Sequence, residues 1–90
     1  MAPVYVTGST GLDLIEGREL HATYIMFGNY PPSRGRICKT YAALKGGPQT
    51  GQYLFKHGNQ MPKAGGRMPQ ADFQQHLRYM VKNSRLHVMR

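Results

Sequence analysis

The chain has one cysteine, four acidic residues and no tryptophan among its 90 residues. Each shortage removes a class of explanation. Cys38 alone forms neither an intrachain disulfide nor a cysteine-built zinc cluster, which fits a reducing compartment. The four acids, Asp13, Glu16, Glu19 and Asp72, leave little material for acid–base carboxylate pairs or acidic metal ligands. Long apolar runs are also missing: the richest, around Tyr24-Ile25-Met26-Phe27, is far shorter than a membrane span. Met1-Ala2-Pro3 is not followed by a basic segment and an apolar core. The expectation is therefore an intracellular or organellar protein (plastid stroma or mitochondrial matrix side included), not a secreted one.

What the chain does have is positive charge, unevenly placed. Twelve basic residues against four acidic ones give a formal net charge of +8. The first twenty residues sum to −2 and the remainder to +10. A surface of that kind calls for an anionic partner: RNA, acidic protein subunits or lipid headgroups. With 40% hydrophobic and 18% charged residues, the composition is that of a small folded domain, not a disordered chain.

Taken in order, Pro3 to Thr7 reads as a short strand, and Gly8, Gly11 and Gly17 bound a loop whose Leu12–Glu16 stretch is too brief for an independent helix. Arg18 to Phe27 alternates as a second strand. Pro31-Pro32 blocks an immediate helix, and Ser33 is placed to cap a helix over Arg34–Lys45 with Ile37, Tyr41 and Leu44 on one stripe. Gly46-Gly47 stops it, with Gly46 expected in a left-handed cap. Pro48 to Gly51 reads as a turn and Gln52 to His57 as a third strand. Gly58 to Pro69 is rich in Gly, Pro and isolated bases, as in a linker. Gln70 to about Ser84 has the clearest helical pattern, with Phe73, Leu77, Met80 and Val81 at i, i+4, i+7 and i+8. Arg85 to Arg90 reads as a frayed or partner-ordered tail.

The expected fold is therefore α+β: a small antiparallel sheet of about three strands with one packed helix, then an extended linker and a C-terminal amphipathic helix. The expected units are a strand–strand–helix–strand module over 1–57, a basic linker over 58–69, and a docking helix with its tail over 70–90.

Thr7-Gly8-Ser9-Thr10-Gly11 invites a reading as a phosphate cradle. The glycine due three residues later is replaced by Leu14, however, and a nucleotide-binding domain with a catalytic half does not fit in this length. His21, His57, His76 and His87 have no paired metal-ligand spacing, and Cys38 has no evident base beside it. The chain is expected to be no enzyme, with no catalytic residues, no metal ligands and no cofactor.

Two binding readings remain. Bases are interleaved with aromatics in Tyr53-Leu54-Phe55-Lys56-His57 and Arg78-Tyr79-Met80-Val81-Lys82, a pattern suited to phosphates and unpaired bases. Separately, Arg18-Glu19-Leu20, Thr23-Tyr24 and a helix ending at Gly46-Gly47 stand in the order and near the separations found in one family. Over about residues 3–57 the chain resembles the small core linker of phycobilisomes, of the rod-cap and allophycocyanin-linker type. That resemblance implies a pigment-free basic module seated in a ring of acidic phycobiliproteins. Residues 58 to 90 lie outside it.

The first expectation is thus a non-catalytic, basic linker subunit that stabilises a large assembly by binding acidic, phycobiliprotein-like subunits. The alternatives are an organellar or bacterial ribosomal protein on rRNA, or an accessory subunit of a respiratory or photosynthetic membrane complex. The residues expected at the partner are Tyr24, Phe27, Arg34 and Arg36 from the first half, and Tyr53, Phe55 and Lys56 from the third strand. Phe73, Leu77, Arg78, Met80, Val81, Lys82 and Arg85 complete the set from the last helix.

Overall fold

The computed structural model describes residues 4–26, 40–60 and 68–90. Strand β1 (Tyr5–Val6) leads into helix α1 (Gly8–Ile15) and then strand β2 (Thr23–Ile25). A 3-10 turn (Ala42–Gly46), strand β3 (Gln49–Thr50), helix α2 (Gly51–Asn59), helix α3 (Gln70–Lys82) and strand β4 (His87–Met89) follow. The class is α+β, and the sheet is antiparallel as expected, but with four strands in the order β1-β4-β2-β3. Strands β1 and β2 both run antiparallel to β4, so they are parallel to each other with β4 between them, a split β-α-β arrangement.

Register explains which face is covered. Val6 opposes Val88, Val88 opposes Tyr24, and Tyr24 opposes Gln49, so these four share one face. Tyr24 and Val88 are buried there with Ile15, Leu54, Phe73, Leu77, Val81 and Leu86. The sheet is therefore the floor of a core roofed by helices α1, α2 and α3.

Several expectations are corrected by this architecture. The stretch after Thr7 is a helix, not a loop between strands. Its isolated nucleus is costly, but Gly11 and Ile15 are buried. A Cβ on Gly11 would stand 2.8 Å from Val81 Cγ1, so this glycine serves close packing of α1 on α3 and is not a phosphate cradle. The second strand is confined to Thr23–Ile25 because residues 18–22 turn, with the amides of His21 and Ala22 donating to Arg18 O at 3.0 and 3.1 Å.

The expected third strand over Gln52–His57 is helix α2. Thr50 is its N-cap, its hydroxyl accepting from Tyr53 N at 3.1 Å, and Gly51, Leu54 and Gly58 form the buried stripe. Gly51 must be glycine, since a Cβ there would collide with the Glu19 carbonyl. The close approach lets the Gly51 and Gln52 amides donate to Ala22 O and Leu20 O at 3.0 and 2.8 Å. The helix over Arg34–Lys45 lies outside the described residues up to Lys39; Thr40-Tyr41 are helical and the chain then tightens into the 3-10 turn. Gly47, not Gly46, carries the positive φ, at 126° with ψ −168°, a conformation essentially reserved for glycine.

The largest correction concerns the C-terminus. Residues 85–90 are no tail: β4 occupies the middle of the sheet. A Schellman turn aims it there, with Ser84 N donating to Val81 O at 3.1 Å and Arg85 N to Met80 O at 2.8 Å. Ser84 adopts the left-handed conformation at φ 59° that this turn normally gives to glycine. Thr7 Oγ1 lies 2.9 Å from Val81 O and 3.0 Å from Leu86 O, its one proton serving the two carbonyls and tying the start of α1 to this turn. Helix α3 and β4 thus belong to the same core as the residues before position 57. The linker expected over 58–69 begins inside α2, and 61–67 lie outside the described residues.

Candidate functional site

The fold divides the expected partner-binding residues into three groups. Tyr24, Phe73, Leu77, Met80 and Val81 are buried in the chain's own core, which corrects their assignment to a docking surface. An amphipathic stripe has the same 3.6-residue period whichever surface it covers, and here it covers the sheet. Phe55 is half-buried, its ring 5.5 Å from that of Phe73. Phe27, Arg34 and Arg36 lie outside the described residues.

Arg78 turns inward. Its guanidinium donates to Glu19 Oε2 at 2.6 Å, while Gly17 N donates to the same oxygen at 3.1 Å and Gln74 Nε2 to Oε1 at 3.3 Å. Burial pushes the Glu19 carboxyl up. Its own backbone N–H, Arg78 and the Gly17 N–H reverse this and hold it below the usual carboxylate range. Tyr24 OH donates to Glu19 O at 2.7 Å, and burial followed by the Glu19 charge drives that phenol well up. Glu19 and Arg78 therefore form a structural seam between the 16–20 turn and α3. Beside them Asp13 and Glu16 face an open recess on the acidic side of the molecule.

Tyr53, Lys56, Lys82 and Arg85 remain on the surface, and Tyr79 joins them. Lys56, Lys82 and Arg85 have no ion-pair partner among the described residues. Both helices follow one rule: in Tyr53-Leu54-Phe55-Lys56 and Tyr79-Met80-Val81-Lys82 the two inner residues face the core and the outer two face solvent. Tyr53 and Tyr79 are 48% and 59% exposed, high for aromatic rings in so small a protein. Each ring lies near-parallel to a histidine one turn away: Tyr53 to His57 at 6.0 Å and 7°, Tyr79 to His76 at 6.0 Å and 29°. His76 also lies 5.7 Å from buried Tyr41, whose hydroxyl is 2.7 Å from His76 Nδ1. The second pair is thereby anchored to the core. Tyr79, His57 and His76 were absent from the sequence-based set, although the Tyr-x-x-Lys spacing pairing each tyrosine with a lysine on one helix face was readable.

A second surface feature was also missed. Leu14, Ala22, Val88 and Met89 line a recess together with Arg18, His21 and Arg90. Among the described residues no group of three His, Cys, Asp or Glu side chains could hold a metal ion, and no helix is long and apolar enough to cross a membrane. No protein-family model, no curated protein and no solved structure matches this chain.

Proposed function

We propose that this protein is a non-catalytic basic subunit that stabilises a larger assembly by binding an anionic surface. The observation that carries the reading is the fate of the charges. The one buried acid, Glu19, is neutralised inside by Arg78, while Lys56, Lys82 and Arg85 are exposed without an ionic partner among the described residues. Cations left unpaired on a small domain are available to an anion supplied from outside. Among the described residues the exposed large apolar ones are Val4, Leu14 and Met89, of which the last two line one recess, and Tyr53 and Tyr79, each on a helix with an exposed lysine three residues on. Exposed rings beside unpaired cations favour RNA, as in a ribosomal-type protein.

The second reading is an acidic protein partner, as in a phycobilisome-type linker. What favours it is the recess where Leu14 and Met89 meet Arg18, His21 and Arg90, a combination suited to an acidic peptide with apolar side chains. Purifying the native assembly and recording its absorption spectrum separates the two. A nucleic-acid band in the ultraviolet without visible pigment supports the RNA reading. A visible pigment band with acidic subunits and no RNA supports the linker. An isolated monomer that binds neither sinks both.

A further inference from the structure

The two tyrosine–histidine pairs on α2 and α3 carry the reading further, to a class of nucleic acid. Duplex binding needs phosphate contacts but no exposed rings, because paired bases offer no π-face to a side chain. Tyr53 and Tyr79 leave about half of their surface in water, at 48% and 59%, an arrangement that contributes little to the core. In both cases the same helix supplies a histidine near-parallel to the ring, His57 four residues after Tyr53 and His76 three residues before Tyr79, and a lysine three residues after the tyrosine. Residues three apart on a helix have Cβ atoms about 5–6 Å apart, so ring and ammonium stand side by side. A ring braced by a histidine and flanked by a cation fits one base and its neighbouring phosphate.

We infer that Tyr53 with Lys56 and Tyr79 with Lys82 are two base-stacking sites for single-stranded nucleic acid, each tyrosine stacking an unpaired base and each lysine holding a phosphate. The inference rests on the proposed RNA reading and specifies which surface binds and what structure the RNA has there. Charge agrees with it. Around Tyr53 the exposed neighbours on α2 and its C-cap are Gln52, Lys56 and Gln60, and around Tyr79 those on α3 and its exit are Gln75, Lys82, Asn83, Ser84 and Arg85. The one carboxylate on α3, Asp72, lies in its first turn, two turns before Tyr79. His76 anchors the second site through Tyr41, so the Tyr79 ring is held in place before a ligand arrives.

The test is fluorescence anisotropy with a labelled single-stranded RNA of about 20 nucleotides, its duplex and heparin, using the full chain. Tyr79→Ala and Tyr53→Ala should each weaken single-strand binding by about fivefold or more, while Tyr→Phe retains it. Neither substitution should alter heparin binding. Lys82→Gln and Lys56→Gln should each reduce the salt dependence of RNA binding by about one unit of log–log slope. Thermal melts confirm that each variant is folded. If folded Tyr→Ala variants bind single strands as the parent does, the stacking sites are wrong while the anionic-partner reading stands. Equal affinity for duplex and single strand, or a preference for poly-glutamate over RNA, overturns the inference as well. Failure to bind RNA, heparin and poly-glutamate overturns both.

Discussion

The two ends of this chain fold against each other, yet they use charge in opposite ways. The N-terminal β1–α1–β2 region supplies three carboxylates and the C-terminal α3–β4 region most of the described bases. Where the two regions meet, one member of each set is drawn into the structure, as Glu19 and Arg78. Away from that seam the first region leaves Asp13 and Glu16 exposed, and the second leaves Lys82, Arg85 and Arg90. The same ionic chemistry is architectural where a partner lies within the chain and available for binding where it does not. The net charge of +8 thus hides a division, with residues 1–26 at −2 and residues 70–90 at +3.

The most severe change is to remove the strand of the C-terminal region. Deleting Leu86–Arg90 takes β4 from between β1 and β2, leaving both without their shared partner. Cooperative thermal unfolding by circular dichroism should disappear; a tail of no structural role would leave it intact. Leu77→Asp should act almost as strongly, because Leu77 is fully buried, so it reports on folding before it reports on any partner.

Next comes the seam. Arg78→Met should cost about 2 kcal/mol, measured by urea unfolding. That is less than for a fully buried pair because Arg78 is 39% exposed, yet it strands Glu19, whose side chain is 1% exposed.

Acid should sharpen the picture in two stages. His87 is held below the ordinary imidazole value by burial, so the folded state resists its protonation and stability falls as pH drops below that value. Glu19 is also depressed. Its stabilisation is present above the ordinary carboxylate range and disappears as pH falls through its lower folded value. Stability followed against pH should lose its upper stage in His87→Gln and its lower stage in Glu19→Gln. An unchanged profile in either variant would contradict the assigned burial or pairing.

The smallest effect is a gain. Ser84→Gly relieves the left-handed strain at φ 59° and should stabilise the protein by about 1 kcal/mol. Gly47→Ala should be clearly more destabilising than Gly46→Ala, since only Gly47 has positive φ.

Helix α3 was legible because thirteen residues carry a full 3.6-residue stripe and nothing else fits that period. Helix α2 was not. Tyr53-Leu54-Phe55 alternates as well as any strand, and what decides for helix is the Thr50 cap together with Gly51 pressed against the Glu19–Leu20 backbone. That second contact joins segments far apart in sequence and leaves no local signature. Strand β4 was hidden for the same reason, since its partners are Tyr5, Val6, Tyr24 and Ile25. At the candidate site, Tyr53, Lys56, Lys82 and Arg85 could be found from charge and composition. The apolar stripe of α3 was credited to a partner because periodicity shows that a face is buried without showing by what. The acid–base seam needed Glu19 to turn inward, which nothing in Arg18-Glu19-Leu20 announces.

The most direct test of RNA binding at α2 and α3 is a nuclear magnetic resonance titration of isotope-labelled protein with single-stranded RNA, read residue by residue. Shifts are expected at Tyr53, Lys56, Tyr79, Lys82 and Arg85, with Asp13 and Glu16 unmoved. Shifts centred on Asp13 and Glu16, or on the recess of Arg18, His21 and Arg90 with the two tyrosines silent, would contradict it.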